Sequence, residues 1–445
     1  MAFGSCSKHD HAQPLWEAIV GAEPQVWAWL GDNVYVDKKV KPGSQRFEWL
    51  GEQAMRQAYQ EQLAHAGYAA LRARAAVVGT YDDHDYGLNN AGAELEHKDL
   101  GAQLALDFLG EPAGSERRQQ VASRGGIHAA YTYGPPGRRT RLILLDTRYS
   151  REALPDVDLV TKRGLEGLET PGDVLGEEQW AWLEAQLTHE PRANLTIIGS
   201  SVPVLPGLSA FLMGADLCEG WHRFPVARAR LLRLLARTGT TGVIFLGGDY
   251  HFGLIDEWDA QCSPLGYPTL DVVSSGMTHA VMDVLPFKGS RLWRWFVTGK
   301  QCPSRAIGLP FERPLYLDLN WGMVEVDWHA AGGAMVSVSV RDESGEAVLR
   351  RAMRLAELAP PAGFDAEAAS DRRGGRFDAV SGECRLEEHT AGWRRYTLFL
   401  YVLVAVGAAA LTSGWGSAAA AAAAAALVAT KVIRTRRSAG RVKME

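Results

Sequence analysis

The strongest constraint on the fold is a pattern that recurs four times, in which an apolar run or the chain start leads into side chains able to bind a metal. The four segments are residues 3–7 (FGSCS), 30–35 (LGDNVY), 81–85 (YDDHD) and 246–251 (LGGDYH). Glycine beside an acid lets the chain turn and approach a ligand closely. In layered α/β folds, ligands collect at the C-terminal ends of strands. We therefore predict that the four segments are strand ends that meet at one site.

The rest of the first 357 residues alternates strand-like and helix-like stretches. Predicted strands cover residues 26–30, 75–79, 141–146, 195–199, 243–246, 323–327, 335–341 and 347–352, and predicted helices cover residues 47–64, 177–187 and 225–237. The strands are short apolar or alternating runs, whereas the helices have amphipathic spacing. Strands interleaved with helices, followed by a run of strands, predict an α/β fold with helices outside two sheets.

Composition fits a globular chain and gives no sign of a nucleic-acid partner, although nuclease activity stays open as a form of diester hydrolysis. Of the 445 residues, 47% are apolar and 22% are charged, which is ordinary globular usage. The net charge of −5 gives no electrostatic basis for binding nucleic acid. Five cysteines without a C-x-x-C pair do not predict a disulfide framework. A single bridge, Cys218–Cys262 or Cys262–Cys302, stays open.

Each motif has an ordinary explanation when it is taken alone. Gly-Asp after a strand is commonly a turn, and a lone cysteine such as Cys6 is commonly a small buried residue. Together, the strand ends supply thiol, carboxylate, phenol, imidazole and amide groups, which are the ligand types of a transition-metal site. The chain has no G-x-S-x-G segment for a serine nucleophile.

Seven motifs in a fixed order resemble the alkaline phosphatase D family, the PhoD-like phosphatases among the calcineurin-like metallophosphoesterases. They are residues 5–7 (SCS), 29–35 (WLGDNVY), 81–85 (YDDHD) with Asn89 and Asn90, 145–149 (LDTRY), 175–180 (LGEEQW), 248–251 (GDYH) and 274–279 (SSGMTH). The resemblance runs from residue 2 to about residue 328. It implies a four-layer α/β/β/α sandwich, phosphoric ester hydrolysis and a site for two metal ions.

The resemblance also implies a set of metal ligands. They are Cys6, Asp32, Tyr35, Asp83, Asn90, Asp249 and His251. Asp32 would bridge the two ions, and the thiolate of Cys6 with the phenolate of Tyr35 would favour Fe³⁺ at one of them, with Tyr59 as the alternative tyrosine. Carboxylate and amide oxygens would favour Ca²⁺ at the other, with Zn²⁺ and Mn²⁺ left open.

These expectations lead to a mechanism. A metal-bound hydroxide would attack the phosphate of a monoester or diester, and His84 would protonate the leaving oxygen as general acid. His279 is expected either to contact the phosphate of the substrate or to lie behind the ligands. Arg148 is expected to stabilise the fold as a partner of Asp146. The alternative function is a non-catalytic, metal-dependent binding module on a membrane.

The C-terminal region has a different composition. We predict a catalytic domain at residues 1–357, a polar linker at 358–392, and a membrane anchor with an alanine-rich segment and a basic tail at 393–445. Residues 396–415 form an uncharged apolar stretch of about 20 residues, the length of a bilayer span, and the alanine run leaves a second short span open. The basic tail predicts a cytosolic C-terminus. The first residues lack a signal-peptide pattern, so the side that the catalytic domain faces stays open.

Overall fold

The computed structural model describes most of the chain outside its C-terminal region. The described residues are 1–41, 46–154, 171–205, 219–280 and 315–365, together with the backbone of strands Gly375–Asp378 and Glu383–Leu386. They belong to one compact unit, Met1–Pro206 with Cys218–Leu386, and a second unit, Gly207–Leu217 with Glu387–Glu445, lies outside the described residues. The predicted membrane anchor at 393–445 therefore also lies outside them. Within the described part, no helix is both long and apolar enough to cross a membrane.

Most of the β structure forms two large sheets. The strands, numbered along the chain, are β1 (Ala2–Gly4), β2 (Val26–Leu30), β3 (Asp37–Lys39), β4 (Phe47–Trp49), β5 (Ala76–Thr80), β6 (Ala129–Tyr133), β7 (Thr140–Leu144), β8 (Leu195–Ser200), β9 (Val243–Gly247), β10 (Gly253–Trp258), β11 (Thr269–Ser274), β12 (Leu315–Tyr316), β13 (Trp321–Asp327), β14 (Met335–Arg341), β15 (Ala347–Arg354), β16 (Gly375–Asp378) and β17 (Glu383–Leu386). One sheet has the order β15-β14-β13-β1-β2-β5, and the other has the order β12-β10-β11-β9-β8-β7-β6. The pairs β3–β4 and β16–β17 are separate hairpins.

The helices lie between these strands along the chain. They are α1 (Trp16–Gly21), α2 (Glu52–Ala64), α3 (Ala66–Arg72), α4 (Asp83–Tyr86), α5 (Lys98–Phe108), α6 (Glu116–Ser123), α7 (Gly176–Thr188) and α8 (Pro225–Arg237), with 3₁₀ turns at Trp221–Arg223 and Leu355–Leu358. Helix α8 begins with Pro225 at its first turn, where the missing N–H costs no intrahelical bond.

The two sheets face each other across a shared apolar core. Strand β2 is buried on both faces, and its residues divide between two clusters. Ala28 and Leu30 join a cluster that contains Ile198 and Phe245 of the second sheet, together with side chains of α7 and α8. Trp27 and Trp29 pack instead with α1, α2, α3 and α5. The alternation gives helices, sheet, sheet and helices, so the predicted mixed α/β architecture with outer helices is confirmed.

The predicted elements agree closely with the structure in the sheets. β2, β14 and α8 have the predicted bounds, because each is a sharply delimited apolar or amphipathic run. The helix predicted at residues 47–64 is wrong in its first part, where β4 forms a hairpin strand and α2 begins only after Gly51, whose φ is 95°. Within the segment predicted as a linker, β16 and β17 pair as a hairpin.

A cluster of aromatic rings holds α1 and α3 against the first sheet. Trp29 is fully buried, its ring centroid lies 5.3 Å from that of Trp27 and 5.6 Å from that of Trp16, and its Nε1 donates to the hydroxyl of Tyr68 at 3.0 Å. Edge-to-face pairs of this kind stabilise beyond the area that they bury. Trp29 therefore anchors β2, the strand that leads to Asp32.

We predict that Trp29→Ala lowers the free energy of unfolding by about 3–5 kcal/mol, because it leaves a large cavity and an unpaired Tyr68 hydroxyl. Denaturant unfolding followed by circular dichroism measures the change. Val40→Ala is the control, since the Val40 side chain is 53% exposed. Equal stability of the Trp29→Ala protein and the control would contradict the anchoring role.

Candidate metal centre

Neighbouring strands bring the predicted motifs to one edge of the two sheets. β1, β2 and β5 run parallel, with Gly4 opposite Trp29 and Leu30 opposite Thr80, so residues shortly after each strand emerge at the same end. The β9 end approaches from the second sheet. A Cβ added to Gly248 would lie 2.8 Å from the carbonyl oxygen of Leu30, which leaves room only for glycine at this junction of the two sheets.

Three overlapping groups of potential ligands form at this edge. They are Cys6 with Asp32 and His251, Asp32 with Asp83 and His84, and Asp82 with Asp83 and Asp249, and within each group the ligand atoms lie within 4.8 Å of one another. The Sγ of Cys6 is 3.6 Å from Oδ2 of Asp32, and the hydroxyl of Tyr35 donates to the same oxygen at 3.0 Å. Asp32 thus lies between a thiol–phenol–imidazole side and a carboxylate side.

The backbone at these ligands adopts a conformation that side chains rarely occupy. In the described part of the chain, six non-glycine residues have positive φ, and five of them belong to the predicted ligand set: Cys6 at 61°, Asp32 at 50°, Asn90 at 60°, Asp249 at 68° and His251 at 56°. Such conformations cost about 1 kcal/mol or more each and cluster at functional sites. Backbone strain is therefore concentrated at the residues whose side chains form the candidate metal site.

Gly31 explains why glycine precedes the central acid. Its φ is 97°, and a Cβ at this position would lie 2.5 Å from Cβ of Asp82. Any other residue would push the end of β2 away from the end of β5. The Gly-Asp pair is therefore required by a close approach of two strand ends and not only by a turn.

The electrostatics of the cluster fit bound cations. Burial, reinforced by neighbouring acids, raises the pKa values of Asp32, Asp249 and the Cys6 thiol well above their usual ranges. Oδ2 of Asp82 is buried without a hydrogen-bond partner. A cation would favour the charged forms and give the orphaned oxygen a partner. Thiolate, phenolate, imidazole and carboxylate groups at this spacing therefore fit the two metal ions that the sequence predicts.

His84 lies beside the acids and is oriented by a carboxylate that the sequence did not reveal. Its Nδ1 is 2.6 Å from Oδ1 of Asp37, whose side chain is fully buried. Burial opposes the charge of His84, but Asp83, Asp32 and the bond to Asp37 outweigh it and raise the pKa of His84 to about 10. The bond to Asp37 therefore holds the ring in one orientation and favours its protonated form.

Tyr35 contacts three histidine side chains at the site. Its hydroxyl lies 3.5 Å from Nε2 of His251 and 3.2 Å from Nε2 of His279, and its ring centroid is 4.2 Å from that of His84. Burial and then the charges of His84 and Lys8 lower the pKa of His251 to about 4. A neutral His251 can act as a ligand, and His279 joins the same cluster.

The structure also shows the contacts of Asp83 and distinguishes the two candidate tyrosine ligands. The carboxylate of Asp83 accepts the backbone N–H groups of His84 at 2.9 Å and Asn90 at 2.6 Å. Tyr59, the alternative tyrosine, points elsewhere, since its hydroxyl donates to the backbone oxygen of Asp85 at 3.2 Å. The geometry therefore favours Tyr35 over Tyr59 as the phenol at the site.

Arg148 contacts Asp146 through its backbone and other acids through its side chain. Its backbone N–H donates to Asp146 at 3.0 Å, but its fully buried guanidinium pairs with Asp82 at 2.5 Å and with Glu219. Arg148 is therefore a partner of Asp146 as predicted, whereas its guanidinium extends to the strand end of β5. Sequence reasoning also missed Asp82 as a cluster member, although it adjoins the assigned Asp83.

Two facing sheets that bring thiol, carboxylate and imidazole groups together at their strand ends have the architecture of a metal-dependent phosphoesterase. The family model described as PhoD-like phosphatase matches residues 1–278, and the chain belongs to this family. A solved structure titled "Structure of PhoD" is similar in fold, with a TM-score of 0.52 and 15% identity, covering 83% of this chain and 74% of that chain. Among curated proteins, none matches. Membership in a phosphatase family favours a hydrolase over the non-catalytic alternative.

In the metal-free protein, we predict that Asp37→Asn lowers the pKa of His84 from about 10, because the amide offers the imidazolium no anionic acceptor. The ring then loses its proton at a lower pH, and NMR titration of its carbon-bound protons measures the shift. Asp10→Asn is the control, since Asp10 pairs with the exposed His11. A His84 pKa equal to that of the unmodified protein would rule out the orienting role of Asp37.

Proposed function

We propose that this chain hydrolyses phosphate esters by direct attack of water on phosphorus, with His84 as the general acid. The observation that supports this most strongly is the bond between Nδ1 of His84 and buried Asp37 at 2.6 Å. It fixes the ring beside Asp32, whose Oδ1 accepts the backbone N–H of His84 at 3.3 Å. The second ring nitrogen is left to serve a substrate.

The metal ions would occupy the two sides of Asp32. Cys6, Tyr35 and His251 on one side are the donors that favour Fe³⁺, and the oxygens of Asp82, Asp83 and Asp249 on the other favour Ca²⁺, with Zn²⁺ or Mn²⁺ as alternatives. When bound, two such ions lower the pKa of water and neutralise charge on the phosphate. Asn90 is proposed as a further oxygen ligand on the second side.

Side chains of the protein would supply the proton for the leaving oxygen and set the orientation of the donor. The bond to Asp37 favours the protonated form of His84, which would donate its proton to the leaving oxygen. Asp37 keeps the proton on the imidazolium until the leaving group develops negative charge. Tyr35 packs on the ring at a centroid distance of 4.2 Å, which limits the directions in which His84 can turn. His279, beside Tyr35, is proposed to contact the phosphate.

We predict that His84→Asn lowers kcat about a hundredfold or more for alkyl phosphates, and much less for p-nitrophenyl phosphate, whose leaving group needs little protonation. Steady-state kinetics of the iron- and calcium-supplemented protein measure both. His329→Asn is the control, because His329 is exposed and contacts Arg138. Equal losses for both leaving groups would refute the acid role, and an Asp32→Asn protein as active as wild type would refute the whole proposal.

We further propose that residues 396–415 anchor the chain in a membrane, with the catalytic domain on the side away from the cytosol. The stretch has the composition and length of a bilayer span, and the basic residues that follow it favour a cytosolic C-terminus.

We predict that protease added to the cytosolic side of sealed membrane vesicles leaves residues 1–357 intact, because the bilayer shields them. Immunoblotting with an N-terminal tag measures protection, and digestion after detergent treatment is the control. Digestion of the domain in intact vesicles would overturn the orientation, and recovery of the full chain in the supernatant would overturn the anchor.

A further inference from the structure

The ammonium group of Lys8 lies at the rim of the metal centre. Its Nζ is 5.3 Å from the centroid of the Tyr35 ring. The backbone N–H of Lys8 donates to Oγ1 of Thr278 at 2.8 Å, and this hydroxyl donates to the backbone oxygen of Cys6 at 3.2 Å. Lys8 is therefore placed by the same short segment that carries the Cys6 thiol.

The charge of Lys8 is not compensated by a nearby acid. Among the described residues, no carboxylate lies within ion-pair distance of its Nζ, whereas Lys38 pairs with Glu48 at 3.2 Å. An ammonium group without a carboxylate partner at the edge of the site favours the binding of an anion there.

The two classes of phosphate ester differ in the charge that they would present to Lys8. Given the proposed hydrolysis, the phosphate of a monoester is a dianion above a pH of about 6, whereas a diester carries one charge. A diester places a second ester group where the monoester has a free oxygen. We propose that Lys8 binds this additional anionic oxygen and thereby makes the enzyme prefer phosphomonoesters over phosphodiesters.

The full-length protein, supplemented with iron and calcium, provides the test. Lys8→Met should lower kcat/KM for p-nitrophenyl phosphate about tenfold and change that for bis-p-nitrophenyl phosphate less than about twofold, because one charge-assisted contact is lost for the monoester alone. Lys8→Arg keeps the positive charge and should retain most of the monoester activity. Lys38→Met removes a surface charge from the adjacent hairpin and should leave the ratio of the two substrates unchanged.

Two outcomes would overturn the proposal. An equal fall in kcat/KM for both substrates would show that Lys8 only supports the Cys6 segment. An unchanged kcat/KM for each substrate would show that Lys8 does not contact the phosphate.

Binding measurements separate this proposal from the hydrolysis on which it rests. If the wild-type protein hydrolyses neither ester, calorimetric titration with inorganic phosphate and dimethyl phosphate at pH 8 still decides the role of Lys8. Weaker binding of inorganic phosphate alone by Lys8→Met supports the proposal, and equal binding of both anions by the variant and wild type contradicts it.

Discussion

The burial of several carboxylates beside one another governs the arrangement of this site. Asp82, Asp83 and Asp249 lie within ligand distance of each other, and Asp32 adjoins them. Without cations, such groups must protonate or repel one another, which agrees with the raised pKa values of Asp32 and Asp249. Ligands with strained left-handed backbone add to the cost. Metal binding to the folded state alone would offset both costs through linkage.

A second group of contacts holds the site together without metal. The carboxylate of Asp85 accepts the backbone N–H groups of Asp32 at 3.1 Å, Asn33 at 3.0 Å and Asp82 at 2.7 Å. One side chain thereby joins the ends of β2 and β5. Arg148 adds a buried cation that contacts Asp82 and Glu219. These contacts hold the ligands from the protein side, which is a condition for selective metal binding.

The sequence predicts those parts of the site that depend on neighbouring residues in the chain. Asp32 and His84 are identifiable because each follows a recognisable strand end. Asp37 is not, since its role depends on a bond to His84, which is 47 positions away. The guanidinium of Arg148 likewise finds partners 66 and 71 residues distant. Helix α2 was predicted too long, because helical spacing alone does not reveal that Gly51 starts the helix after a hairpin strand.

His84 and His251 show how one side chain type takes two roles within a single cluster. Burial disfavours the charged form of both rings. Around His84, the carboxylates of Asp83, Asp32 and Asp37 exceed this cost, and its pKa rises to about 10. Around His251, the cations of His84 and Lys8 add to the cost of burial, and its pKa falls to about 4. Opposite shifts in neighbouring groups separate a proton donor from a neutral ligand. The charge of His84 itself helps to keep His251 neutral, so the acid and the ligand assignments support each other.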